Sequence, residues 1–257
     1  MKRLFLLLFF LGLLLFSFWV FFKKTPPSTP AEKKTEIKID EPEQGMKQIA
    51  FQEKKFLFLD QKISRPEKLI LLPNFEKKLV STELFKDNNC RFLINGGFYD
   101  QQDQPLGWFF TQKSLFKKEI KSALLNGFFF QNEPGGIKIE DISPSAPVVW
   151  GLQTGPLLIF QNQPVRLRLA RDEQARRMVA ALNQKDELIF LVITGSDSLA
   201  IGPLLMDLPA VVKKIGEELK EEFKTAVNLD GGTASAFINQ AKKIKEYTWI
   251  GSFFCLP

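Results

Sequence analysis

The sequence contains no histidine. That absence removes serine–histidine and cysteine–histidine nucleophile pairs, zinc hydrolysis of the two-histidine kind, and every histidine-ligated metal. Any catalysis must draw on carboxylates, Lys, Arg, Tyr, Cys, hydroxyls, backbone groups or a hard cation. Cysteine is nearly absent too. Cys90 and Cys255 are too few for a disulfide-dense scaffold, and neither lies in a CxxC pair. They form either one bridge closing a very long loop or two buried free thiols. Tyrosine is as scarce, with 2 residues against 26 phenylalanines, so the aromatic content is almost wholly apolar and suited to a core. A strong charge bias is missing as well. The net charge is +6, and Lys2, Arg3, Lys23 and Lys24 supply four of those charges around one apolar segment. No basic stripe interleaved with aromatics remains, which argues against a nucleic-acid partner.

Residues 4–22 carry no charge and read LFLLLFFLGLLLFSFWVFF. Nineteen helical residues just cross a hydrocarbon core of about 30 Å. A basic start precedes the run, a small-residue cleavage site is missing, and Trp19 stands near the outer end. Residues 1–24 are therefore expected to form a transmembrane signal anchor, with the rest of the chain outside the cytoplasm, periplasmic or at the cell surface. Cleavage of the segment would make the protein secreted. Residues 25–48, rich in Pro, Ser, Thr and charge, read as a flexible tether.

The folded domain is expected over 49–257. Strands are predicted at 56–60, 68–72, 91–95, 106–111, 137–139, 156–160 and 165–169, and a hairpin at 176–194. The continuous apolar arm 188–194 suits a strand covered on both faces. Ser81 is placed to cap a short helix through 85–86. Apolar residues at 208, 211, 212, 215, 219 and 223 make one helical stripe with Pro209 in its first turn. Strands at 225–229 and near 249–256 complete an α+β domain, a mainly β mixed sheet with few helices.

Three polar–glycine clusters interrupt the apolar runs. Asn95-Gly96-Gly97-Phe98-Tyr99-Asp100 follows a strand, Gln153-Thr154-Gly155-Pro156 adjoins another, and Asn228-Leu229-Asp230-Gly231-Gly232-Thr233-Ala234-Ser235 ends a third. Glycines there allow tight turns and close ligand approach, and a turn after Asp230 can set a carboxylate beside anion-binding backbone amides. Each cluster taken alone is equally a plain turn. Arg176 and Arg177 precede an apolar strand. Alternation should turn them to opposite faces, which makes Arg176 the natural control for Arg177.

Together NGGFYD, QTGP, the arginine and NLDGGTAS resemble the phosphodiester glycosidase domain, in the same order, across 49–257. The resemblance implies hydrolysis of a sugar-1-phosphate diester, with a glycan or sugar-phosphodiester as partner. It implies catalytic roles for Asp230, Arg177 and Asp100, and substrate contacts from Asn95, Gly96, Gly97, Gly155, Gly231, Gly232 and Ser235. Which carboxylate is nucleophile and which is base stays open. The family continues its LDGG with Gly-Ser-Ser, whereas this chain has Thr233, Ala234 and Ser235. Asp100, Asp230, Asn95 and backbone carbonyls could hold Ca²⁺ or Mg²⁺ through oxygen ligands. Two other functions remain open: a glycan-binding module without catalysis, and a structural tethered protein in which Asp230 and Arg177 would lie far apart.

Overall fold

A computed structural model describes residues 45–133 and 135–257. The expected anchor and most of the expected tether lie outside the described residues. Among the described residues no helix is long and apolar enough to cross a membrane. In chain order the elements begin with β1 (Lys47–Phe51), β2 (Lys54–Lys62), β3 (Ile70–Pro73), α1 (Ser81–Asp87), β4 (Phe92–Asn95), β5 (Phe109–Thr111) and β6 (Ser114–Lys117). They continue with β7 (Gly127–Asn132), β8 (Ile137–Glu140), β9 (Val148–Thr154), β10 (Leu157–Phe160), β11 (Gln163–Pro164), β12 (Arg177–Asn183) and β13 (Leu188–Gly195). The last are α2 (Leu208–Leu219), β14 (Phe223–Asn228), β15 (Phe237–Ile238), β16 (Lys243–Ile244) and β17 (Ser252–Leu256). A mixed β domain with few helices results, as the apolar pattern predicts.

The strands form three sheets, in the orders β1-β2-β13-β12-β14-β10-β11, β16-β15-β4-β17-β3 and β6-β5-β9-β7-β8. β13 shows why its sequence is apolar throughout. Leu188, Phe190 and Val192 face a core shared by all three sheets. Ile189, Leu191 and Ile193 face a second core under α2. Period-two alternation thus feeds two cores from one strand. Phenylalanine supplies the junction of the sheets. Phe129, Trp150 and Phe254 meet with ring centroids 5.1–5.3 Å apart, and Phe190 joins Phe254 at 5.6 Å. α2 buries Leu208, Val211, Val212 and Ile215 and ends where Lys220 turns left-handed. Cys90 and Cys255 are bonded, tying the end of β17 to the loop between α1 and β4.

Three local expectations are corrected. Ser81 does not cap its helix. It is the first helical residue, and its amide and hydroxyl both donate to the Glu246 carboxylate. The stretch 165–169 is not a strand. The return arm of β10 is only Gln163–Pro164 at the sheet edge, so the alternating Val165 and Leu167 pack on the cores without a ladder to join. β1 begins at Lys47, two residues ahead of Ile49.

Candidate active site

Antiparallel pairing of β12 with β14 sets the geometry. Val179 pairs with Asn228, and past the strand end the Leu229 amide still donates to Met178 O at 2.8 Å and the Gly232 amide to Arg176 O at 2.8 Å. These bonds hold the turn that carries Asp230 against the start of β12, and Asp230 and Arg177 line the same cleft. The intervening Gly231 is needed for close approach, because a Cβ there would lie 2.6 Å from Arg176 O. NGGFYD meets this turn from the other side. The Asp230 amide donates to Gly96 O at 3.1 Å. Asn95 Nδ2 donates to Asp230 O at 2.7 Å, and its Oδ1 accepts from the Ala236 amide at 3.1 Å.

QTGP locks onto the same strand. Thr154 Oγ1 donates to Asn228 O at 2.8 Å, Asn228 Nδ2 to Gly155 O at 3.0 Å, and the Asn228 amide to Pro156 O at 3.0 Å. The Gly155–Pro156 peptide is cis, and Gly155 has φ +151°. Gln153 fastens the neighbouring loop. Its oxygen accepts from the amides of Trp108 and Ile120, and its nitrogen donates to the carbonyls of Ile120 and Leu125.

The result is a cleft of about 750 Å³. Phe98, Leu106, Ile120, Leu124 and Leu205 make its apolar side, and Arg177, Asn228, Asp230, Glu173 and the Gly231–Gly232 turn its polar side. Asp230 is half-buried on this wall. Burial raises its carboxyl from 3.8 to about 8, only partly offset by the Gly231 amide. It therefore carries a proton at neutral pH.

The two arginines diverge as alternation requires, yet both are buried. Arg177 donates through Nε to Pro203 O at 3.0 Å and through Nη2 to Glu173 O at 2.6 Å, with Asp172 Oδ1 at 3.6 Å. It lines the cleft. Arg176 points elsewhere. It donates to Ser235 Oγ and O, both at 2.8 Å, and to Lys245 O at 3.0 Å, and lies 5.5 Å from the Tyr247 ring centroid. Burial lowers its guanidinium to about 10, and it stays charged at neutral pH. Its expected role as a neutral control is thereby corrected: it braces the turn that carries Asp230.

Of the residues singled out from the sequence, Asp230, Arg177, Gly155, Gly231 and Gly232 line the cleft. Asn95, Gly96, Gly97 and Ser235 do not. They are buried, and Asn95 and Ser235 are bonded to the backbone around Asp230 and to Arg176. Asp100 stands apart. Its Oδ1 accepts from the amides of Gln102 and Gln104 in a surface turn. Among the described residues no group of three or more acidic or cysteine side chains is placed to hold a metal ion. Sequence reading named Asn228 within its cluster without giving it a role, and passed over Glu173. Asn228 carried a signal, a polar residue that ends an apolar strand two places before Asp230. Glu173 had none, since its place at the cleft depends on the loop before β12.

The sequence matches the phosphodiester glycosidase family over residues 88–250, more than half the chain. The chain belongs to the phosphodiester glycosidase family. Sequence comparison with curated proteins finds no match. Among solved structures, the fold is similar to the catalytic domain of zebrafish N-acetylglucosamine-1-phosphodiester α-N-acetylglucosaminidase, auto-inhibited by its pro-peptide. The TM-score is 0.66 at 14% identity, covering 82% of this chain and 81% of that one. A hypothetical protein from Synechocystis aligns with TM-score 0.59 at 12% identity over 82% and 61%. A putative exported protein from Burkholderia pseudomallei aligns with TM-score 0.51 at 10% identity over 80% and 75%. At these identities the likeness is one of fold. The phosphodiester glycosidase match covers all three polar–glycine clusters and both arginines.

Proposed function

We propose that the domain hydrolyses the glycosidic C–O bond of a sugar-1-phosphodiester outside the cytoplasm. The observation that carries this reading is the convergence of Asp230 and Arg177 on one cleft. Protonated Asp230 meets an anionic diester without repulsion and can donate to its bridging oxygen. Arg177 keeps N–H groups beyond those spent on Pro203 and Glu173, and these suit a phosphate. The bond from the anomeric carbon to oxygen breaks with its electron pair leaving on the phosphate. A water oxygen bonds to that carbon and gives up a proton, yielding free sugar and a phosphomonoester. A phosphate leaves readily as an anion, so charge stabilisation matters more here than strong acid catalysis, and a histidine-free site suffices. The Cys90–Cys255 bridge favours an oxidising compartment, and a membrane anchor at 4–22 accords with it. An active reporter fused after residue 257 only in the cytoplasm would refute that topology.

Asp230→Asn and Arg177→Ala are expected to lower kcat on a sugar-1-phosphodiester by roughly 10²-fold or more while circular dichroism stays native. Release of free sugar is the readout. Wild-type rates in folded Asp230→Asn would remove Asp230 from the mechanism. A second reading, a glycan-binding module without catalysis, draws on the Thr233 and Ala234 departures and on how much of Arg177 is already engaged. Turnover of any such diester by the wild type would sink it.

A further inference from the structure

A carboxamide has one donating and one accepting end. Asn228 is 2% exposed. Its Nδ2 donates to the Gly155 carbonyl, which can only accept, so the amide orientation is fixed. Its backbone amide and carbonyl are paired as well. Among the described residues its Oδ1 has no partner. Gln153, on the adjoining strand, has both ends of its amide satisfied. Buried acceptors are ordinarily paired, and leaving one unpaired costs stability. Asn132 Oδ1, Thr194 Oγ1, Thr225 Oγ1 and Ser252 Oγ are also buried and unpaired, but none of those four residues lines the cleft, whereas Asn228 does.

Position gives this oxygen a meaning. Asn228 ends β14, Asp230 follows two places later, and both line the cleft. Asn228 pairs with Val179, Arg177 stands two places before Val179 on β12, and Asn228 is bonded to Gly155. The wall therefore runs from Gly155–Pro156 through Asn228 and Asp230 to Arg177, with an acceptor at one end and a cation at the other. A phosphodiester anion carries only acceptors and belongs at the Arg177 end. The Asn228 end calls for a donor, and sugars supply donors as hydroxyl or acetamido N–H groups. Leu124 and Leu125 flank that end and suit the C–H face of a pyranose or an acetamido methyl.

We infer that Asn228 Oδ1 accepts a hydrogen bond from the sugar of the substrate and so holds the glycone at the Gly155–Pro156 end of the cleft. This rests on the hydrolase reading above and gives it a direction. The test uses the full-length chain in detergent, with methyl α-glucosyl phosphate, its 2-, 3-, 4- and 6-deoxy analogues, and methyl N-acetyl-α-glucosaminyl phosphate. The methyl group offers no donor, so any donor comes from the sugar. Wild type should lose on the order of tenfold in kcat/KM when one particular donor is deleted. Asn228→Ala should start lower and show no further loss for that analogue. Equal discrimination by wild type and variant would overturn the inference and leave the hydrolase reading intact. Should Asn228→Ala fail to fold, the assigned ¹⁵N side-chain amide resonance of wild-type Asn228 is titrated with methyl α-glucoside, methyl N-acetyl-α-glucosaminide and the deoxy glucosides. A shift with a parent sugar that vanishes with one deoxy analogue supports the contact, and no shift with any sugar overturns it. That shift in a protein that hydrolyses no diester would overturn the hydrolase reading alone.

Discussion

Asp230 is held against its own chemistry, and the cost has a pH signature. Its carboxyl titrates near 3.8 when unconstrained and at about 8 in the fold. The native state therefore keeps a proton that the unfolded chain releases. The contribution of this group to stability is greatest below about pH 4, falls as pH rises toward 8, and is level beyond. Asp230→Asn should abolish this fall. Thermal melts should find the variant close to wild type near pH 4 and more stable near pH 9, a stabilisation obtained by disabling the site. The same ionisation predicts a kinetic limb: kcat/KM should decline above about pH 8 as one group loses its proton. Rates unchanged to pH 10 would contradict a protonated Asp230. Arg176 carries a different expectation. Removing its buried guanidinium leaves Ser235 and the Lys245 carbonyl without their donor. Arg176→Ala should cost about 2–4 kcal/mol in chemical denaturation. At this scale the sequence disclosed which residue types mattered but not their division of labour. NGG and LDGG were legible as strand-end glycine turns. That Asn95 would serve the Asp230 backbone depends on a pairing 135 residues long in sequence.

At the scale of elements, the legible ones were those whose pattern and neighbours agree. β13 declared itself by an unbroken apolar run, and α2 by its stripe. β7 and β9 went unrecognised for a physical reason. Gly151 sits in mid-β9, where glycine usually marks a break. Here it is required by the Trp108 ring, whose atoms would lie 2.5 Å from a Cβ. Pro147 just before β9 and Gly127 opening β7 obscured their strands in the same way. The 165–169 stretch erred in the opposite sense, with a strand-like pattern but no strand alongside. The QTGP corner allows a sharper test. Gly155 has φ +151°, and a Cβ would lie 2.2 Å from the Leu124 carbonyl. Gly155→Ala must displace either the 124–125 loop or the Asn228 contact. It should lower kcat/KM more than tenfold while costing about 1–3 kcal/mol of stability. An unaltered kcat/KM would mean that this corner does not shape the cleft.

For the whole molecule, one covalent tie spans most of the domain. Cys90 and Cys255 are 165 residues apart, and closing a loop of that length stabilises by roughly 5 kcal/mol in the chain-entropy view. Cys90→Ser with Cys255→Ser should therefore lower the urea midpoint markedly. An equal midpoint would show that packing around α1 and β17 suffices. The sequence left bridge and free thiols equally open because cysteine spacing alone says nothing of proximity. The position of β17 has a further consequence. It pairs with β4 on one side and β3 on the other, yet follows both in the chain by well over a hundred residues. While the polypeptide is being synthesised, those two earlier strands must wait with a gap between them, and the ring cluster lacks Phe254. The sheet of β3, β4 and β17 therefore closes only after residues 252–256 have been made. A chain stopped before residue 252 is expected to leave that gap open and its two flanking strand edges unpaired.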